Sequence, residues 1–162
     1  MLLRVWTGAA LADATGEFES FFATAEPRLR RALVAALGAD RGREALAEAL
    51  AWAWEHWEEV AQIANPIGYL YRVGRSRTRR RRQPLAYTAP VGASAPWVEP
   101  ALMPALVALS EHQRVVVVLV HGYGWAQREV AELLGVSPSS VQTHLERALA
   151  RLRGALEVNA DA

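Results

Sequence analysis

Between Ser139 and Arg147 the chain carries side chains whose types and spacing suit the reading of DNA. Ser139, Ser140, Gln142, Thr143, His144 and Arg147 supply hydroxyl, amide, imidazole and guanidinium groups. Their neighbours Val141, Leu145, Ala148, Leu149 and Leu152 recur every three or four residues, which makes them the packed stripe of a helix and turns the polar set outward. Small polar groups, amides and cations are the ones that bond base edges and phosphates in a major groove. Glu146 opposes phosphate binding unless it pairs with Arg147 or accepts from a cytosine amine. The plain alternative is a polar helix face that is only solvated.

A second constellation is cationic. The run Y-R-V-G-R-S-R-T-R-R-R-R-Q, Tyr71 to Gln83, contains seven of the chain's 18 basic residues, all of which are Arg. On a helix, Arg72, Arg75, Arg79 and Arg82 fall three or four apart and form one ridge suited to a phosphate backbone, with an affinity that drops steeply with salt. A solvated helix end with arginines favoured by the helix dipole is the alternative. Mutual repulsion within so dense a run argues against it.

The elements that must hold these groups read as helices. In W-A-Q-R-E-V-A-E-L-L-G-V-S-P-S-S-V-Q-T-H-L-E-R-A-L-A-R-L-R-G, Trp125 to Gly154, the apolar Val130, Ala131, Leu133 and Leu134 make one helix. Gly135 ends it in a tight turn, Ser137 caps the next helix, and Pro138 fills a first position where no amide hydrogen is needed. That is a helix-turn-helix. Helical hairpins with a Gly turn also occur in proteins that never meet DNA.

Upstream, Phe18, Phe21, Phe22, Leu29, Leu33, Val34 and Leu37 predict a helix over Glu17 to Leu37, kinked or restarted at Pro27. Gly38 to Gly42 predicts a break, and Arg43 to Glu59 a long helix with Leu46, Leu50, Ala53, Trp54 and Trp57 on its apolar face. Asn65-Pro66 opens a third helix that runs into the arginines. Residues 84–104 contain five prolines and no helical period, which marks a linker. The expected plan is all-α: a three-helix module over 17–83, the linker 84–104, and a helix-turn-helix module over 105–158. The β-branched run Val115 to Val120 resembles a strand in isolation but is assigned to a helix, because a lone strand would lack hydrogen-bond partners.

Composition narrows the function classes. A net charge of +1 conceals local asymmetry, with acids dominating Glu44 to Glu59 and arginines the run after Arg72. Cys is absent, which excludes disulfides, thiolate zinc and a cysteine nucleophile. His56, His112, His121 and His144 lack metal-motif spacing, so no metal and no cofactor is expected. No phosphate loop or fixed nucleophile-base set is readable, which argues against an enzyme. Residues 1–16 are too weakly apolar for a secretory leader, and no stretch reaches the ~20 apolar residues of a membrane span, so a soluble cytoplasmic protein without membrane insertion is expected.

Taken together the two halves resemble the sigma-70 type RNA polymerase sigma factors of the compact extracytoplasmic-function class. F-E-S-F-F-A-T-A-E-P-R-L-R-R-A-L, A-L-A-W-A-W-E-H-W and N-P-I-G-Y-L-Y-R-V-G-R-S-R resemble region 2. A-L-V-A-L-S-E-H-Q-R and the helix-turn-helix after it resemble region 4. The resemblance implies an initiation subunit that recruits core RNA polymerase to promoter DNA and is restrained by an anti-sigma protein. It implies that Ser139, Ser140, Gln142, Thr143, His144 and Arg147 read the minus-35 element. The loop Glu59 to Asn65 and the third helix would engage and melt the minus-10 element, with Trp57, Tyr69, Tyr71, Arg72, Arg75, Ser76 and Arg79 as contacts that stack bases and hold the strand. Trp54 is assigned to core packing instead. Glu44, Glu48, Trp52 and Glu55 would form the polymerase docking face.

The chain departs from the family pattern at three places. Arg41, Gly42 and Arg43 stand where members carry acids, Ser76 where an Asn contacts DNA, and Gln142, His144 and Glu146 where residues are more often basic. V-S-P-S-S-V-Q-T-H-L-E-R-A-L-A-R-L also resembles the LuxR-type helix-turn-helix of regulators that bind DNA without polymerase, although no receiver or sensing domain is readable upstream. A helical adaptor anchored by the Trp-rich second helix is a further reading.

Overall fold

The computed structural model describes residues 8–78 and 99–160, with side chains over 14–78 and 99–157. Its described residues form helices and turns, with no strand among them. The first module consists of α1 (Gly8–Leu37), α2 (Ala39–Glu55), the short α3 (Trp57–Val60) and α4 (Pro66–Thr78). The second consists of α5 (Leu102–Ala108), α6 (Glu111–Val117) continued by a π-helical turn Val118–Gly122, α7 (Gln127–Leu134) and α8 (Pro138–Ala160).

In α1 the positions Ala25, Leu29, Ala32, Leu33 and Ala36 recur at helical spacing and are all but inaccessible to solvent. Pro27 lies inside this helix and does not restart it. The break before α2 is confined to Gly38, whose φ is 84°. Gly42, expected in the break, instead sits inside α2 against α1. A Cβ there would lie 2.6 Å from the Cα of Val34, so only glycine lets the two backbones come so close. This packing accounts for the glycine where the family resemblance leads one to expect an acid. Arg43 beside it pairs with Asp40 at 2.6 Å.

The long second helix also ends earlier than its composition suggests. α2 stops at Glu55, His56 takes φ −123° and ψ 30°, and Trp57 begins α3. Trp54, assigned from sequence to the core, is 48% exposed and meets Phe18 edge-on at 5.0 Å. The physical reason is the helix face: the buried stripe of α2 runs through Ala45, Leu46, Ala49 and Ala53, and Trp54 stands beside it with Phe18 against its ring.

α5 begins at Leu102 and includes Pro104, both of which the sequence assigns to the linker. Residues 84–98 lie outside the described residues. Val115 to Val120 is helical, as expected. Val115, Val116 and Leu119 are fully buried, so this segment is apolar on nearly every side because protein surrounds it. Ser110 caps α6, its Oγ accepting from the Gln113 amide, while the Gln113 side chain accepts from the Ser110 amide. The buried apolar residues of both modules form one cluster, in which Leu29, Leu33, Leu70 and Tyr71 are continuous with Val115, Leu119, Val130 and Leu145.

Candidate nucleic-acid interface

The helix-turn-helix is assembled from α7, a three-residue turn and α8. Gly135 adopts φ 68° and ψ 37°, a left-handed conformation that glycine takes without the Cβ penalty. The Val136 amide then reaches back to the Ala131 carbonyl at 3.0 Å and closes the end of α7. Ser137 Oγ accepts from the Ser140 amide at 3.2 Å, satisfying one of the free donors at the start of α8. Val141, Leu145, Ala148 and Leu152 are buried, which fixes the rotation of α8.

With that rotation, Ser139, Gln142, Thr143 and Arg147 are exposed, while Ser140 and His144 are half-buried. Among the described residues, the exposed hydroxyls and amide bond within the helix or to its cap Ser137. Gln142 Nε2 donates to Glu146 Oε1 at 2.7 Å, so Glu146 holds the Gln142 amide. Thr143 Oγ1 donates to the Ser139 carbonyl at 3.0 Å, and the Ser139 and Ser140 hydroxyls gather on Ser137 Oγ at 2.9 and 2.8 Å. His144 stacks on His112 of α6 with centroids 5.5 Å apart and planes 16° from parallel. Burial above all, then His112 and Arg147, holds its imidazole below the ordinary histidine value. His144 is therefore a neutral hydrogen-bonding ring at pH 7, not a phosphate cation.

The sequence-predicted contacts of the first module are scattered by the fold. Tyr71 is 1% exposed, so its ring belongs to the core and offers no surface to a base. Burial raises its phenol far above the ordinary value, and its hydroxyl has no hydrogen-bond partner among the described residues. Tyr69 is half-buried, its hydroxyl accepting from Trp52 Nε1 at 3.3 Å. Trp57 is also half-buried, packed on Phe18 at 5.3 Å and Phe21 at 5.1 Å, with its indole N–H unpartnered. Arg72 and Ser76 are exposed, whereas Arg75 is engaged by Glu111 of α6 at 2.5 Å. Arg79 lies outside the described residues.

Glu44, Glu48 and Glu55 are exposed and Trp52 is half-buried, all on one side of α2 as their spacing requires. Arg77 crosses this face, with Nη1 3.4 Å from Glu48 Oε2 and its guanidinium 4.6 Å from the Trp52 ring centroid. Where α2 meets α3, a cavity of about 410 Å³ is lined by Ala14, Trp54, Trp57, His56 and the carboxylates Glu55, Glu58 and Glu59. The sequence reading gave no role to Arg114, a buried cation beside a valine run. An arginine next to so apolar a segment must find buried acceptors, and that was the available signal.

Residues 101–152 match the family model for sigma-70, region 4. Over 56 residues the chain is 48% identical to an RNA polymerase sigma-E factor of Streptomyces antibioticus, a stretch that covers 35% of this chain and 31% of that protein. The chain thus spans about a third of the length of the curated relative it matches. The fold is similar to that of the sigma factor RpoE from Bartonella quintana, solved in complex with the anti-sigma factor NepR. The TM-score is 0.67 at 19% identity, over 88% of this chain and 98% of that one.

Proposed function

We propose that this chain, which carries a sigma-70 region 4 over residues 101–152, is a promoter-directing initiation subunit of the extracytoplasmic-function class. It binds core RNA polymerase in the cytoplasm, where transcription takes place, and an anti-sigma protein restrains it. The observation that carries this reading is α8. Within the region 4 match, its buried face is packed in the core and its exposed face presents Ser139, Gln142, Thr143 and Arg147 together.

α8 lies in the major groove of the minus-35 element. Gln142 bonds a base edge, Arg147 bonds a base edge or a phosphate, and the hydroxyls of Ser139 and Thr143 take phosphates at the start of the helix. In the first module, Arg72, Arg75, Ser76 and Arg79 attract the minus-10 strands. The cleft at Trp57 and the loop Glu59 to Asn65 receive a base that leaves the stack. The α2 face of Glu44, Glu48, Trp52 and Glu55 docks polymerase.

The test is co-purification of the full chain with core RNA polymerase, followed by run-off transcription on genomic fragments. Stable association and new discrete start sites are expected. DNA binding without association would overturn the proposal in favour of a regulator.

A further inference from the structure

A carboxylate stands on the very face of α8 that carries the candidate base readers. Glu146 is exposed there beside Gln142, Thr143 and Arg147, where phosphates of a bound duplex would repel it. Its contact is local. Glu146 lies four residues after Gln142, one turn along the same face, and its Oε1 accepts from Gln142 Nε2 at 2.7 Å. A carboxylate accepts hydrogen bonds and donates none, so it holds the NH2 end of the amide and never the carbonyl end. The neighbouring Thr143 hydroxyl is turned to the Ser139 carbonyl at 3.0 Å and leaves the amide to Glu146. The orientation of the Gln142 amide is thereby decided before any base is met. Of its two amide hydrogens Glu146 takes one. One N–H and the Oε1 carbonyl are left, a donor beside an acceptor in one plane.

Building on the function proposed above, we propose that Glu146 is a positioning residue that sets the Gln142 amide as a reader of adenine in the minus-35 element. In the major groove adenine alone places an acceptor, N7, beside a donor, the N6 amine, and this is the complement of the amide that Glu146 leaves. Guanine presents two acceptors, N7 and O6. A free amide could turn both of its hydrogens toward guanine, but an amide already bound to Glu146 cannot, and its carbonyl would face O6. Glu146 thus works partly by rejecting the wrong base. It lowers affinity for every duplex through its charge and raises the choice among bases through its hydrogen bond. These two effects have opposite signs, which separates them in an experiment.

The full chain is used to select bound sequences from a pool of randomised duplexes, and the base pair that responds to Gln142→Ala is identified. Affinity is then measured with adenine, guanine or 7-deazaadenine at that position, the last lacking the N7 acceptor. The parent is expected to prefer adenine to guanine by about tenfold or more, and to lose affinity for 7-deazaadenine. Glu146→Ala should bind every duplex roughly two- to fivefold more tightly, because the like charge is gone, while its adenine preference falls to within about threefold. Glu146→Gln removes the same charge but keeps an acceptor, so it should also bind more tightly and retain more of the preference than Glu146→Ala. Residue 146 is exposed, so both variants keep the fold. A Glu146→Ala protein that binds more tightly with its adenine preference intact would overturn the positioning role and reduce the contact to a pair on the helix surface, leaving the proposed function standing. A parent that favours another base there, or in which no base pair responds to Gln142→Ala, would overturn it as well. A parent that selects no sequence, alone or with core RNA polymerase, would overturn the proposed function, and the adenine reader with it.

Discussion

The two surfaces proposed to face DNA differ in what holds them. On α8 the exposed side chains bond to their own helix or its cap Ser137, and no other described residue pairs with Gln142 or Thr143. On α4 the fold has taken up most of the candidates. Tyr71 is core, Tyr69 accepts from Trp52 and Arg75 pairs with Glu111, while Arg72 and Ser76 stay exposed. Under the proposed function, the α8 surface is free to meet DNA as it stands, whereas on α4 the Arg75 to Glu111 pair would have to be exchanged for a phosphate. A rigid reader confers sequence choice, because its side chains lose little freedom on binding.

Tyr71 separates the two surfaces with the largest expected effect. As a core residue it should cost about 3–5 kcal/mol of unfolding free energy when replaced by Ala. Tyr71→Phe should leave stability unchanged or slightly raised, because the lost hydroxyl has no partner to abandon. Denaturant unfolding of both variants checks this. A Tyr71→Ala protein as stable as the parent, but unable to open promoters, would make the ring a reader after all and erase the contrast with α8.

The reverse pattern is expected on α8. Gln142→Ala and Arg147→Ala should each remove about 1–3 kcal/mol of discrimination at one base pair of the upstream element. Stability should stay within ~0.5 kcal/mol of the parent, since both side chains are exposed. Binding measured against a panel of single-base substitutions checks the first part and denaturation the second. Weakening that is uniform across the panel would reassign the residue from base edge to phosphate.

How much of this was legible in the sequence follows the same division. The helix-turn-helix could be read residue by residue because its signals are local: a left-handed glycine, a serine cap, a first-turn proline and an apolar stripe each act within a few positions. Val115 to Val120 was assigned correctly only by asking where its hydrogen bonds would go. Tyr71 was assigned to base stacking and lies in the core instead, because spacing puts it near Arg72 and Arg75 but does not tell which side of α4 meets α1 and α2. Gly42 was read as a breaker because the contact that demands it comes from α1, eight residues earlier, and a glycine for close packing looks the same in sequence as one for a turn. The Arg75 to Glu111 pair spans the linker, and no periodicity within either module reports it.

The smallest expected effect is a pH dependence confined to α8. Burial, then His112 and Arg147, holds the His144 imidazole below its ordinary value. The unfolded chain therefore takes up this proton at a higher pH than the folded one, and protonation favours unfolding. The stability linked to His144 is complete above the unfolded-state value of ~6.5 and is lost as pH falls from there toward the depressed folded-state value. DNA acts in the opposite direction, because nearby phosphates favour the imidazolium, so duplex affinity should rise modestly over the same interval. His144→Gln keeps a hydrogen-bonding group and removes the titration. Denaturation midpoints and duplex affinity at pH 5.5 and 7.5 should thus change less in the variant than in the parent. A pH response of equal size in parent and variant would move its origin off the recognition helix. A response lost in the variant would show that, of the two surfaces, only the preformed one senses protons.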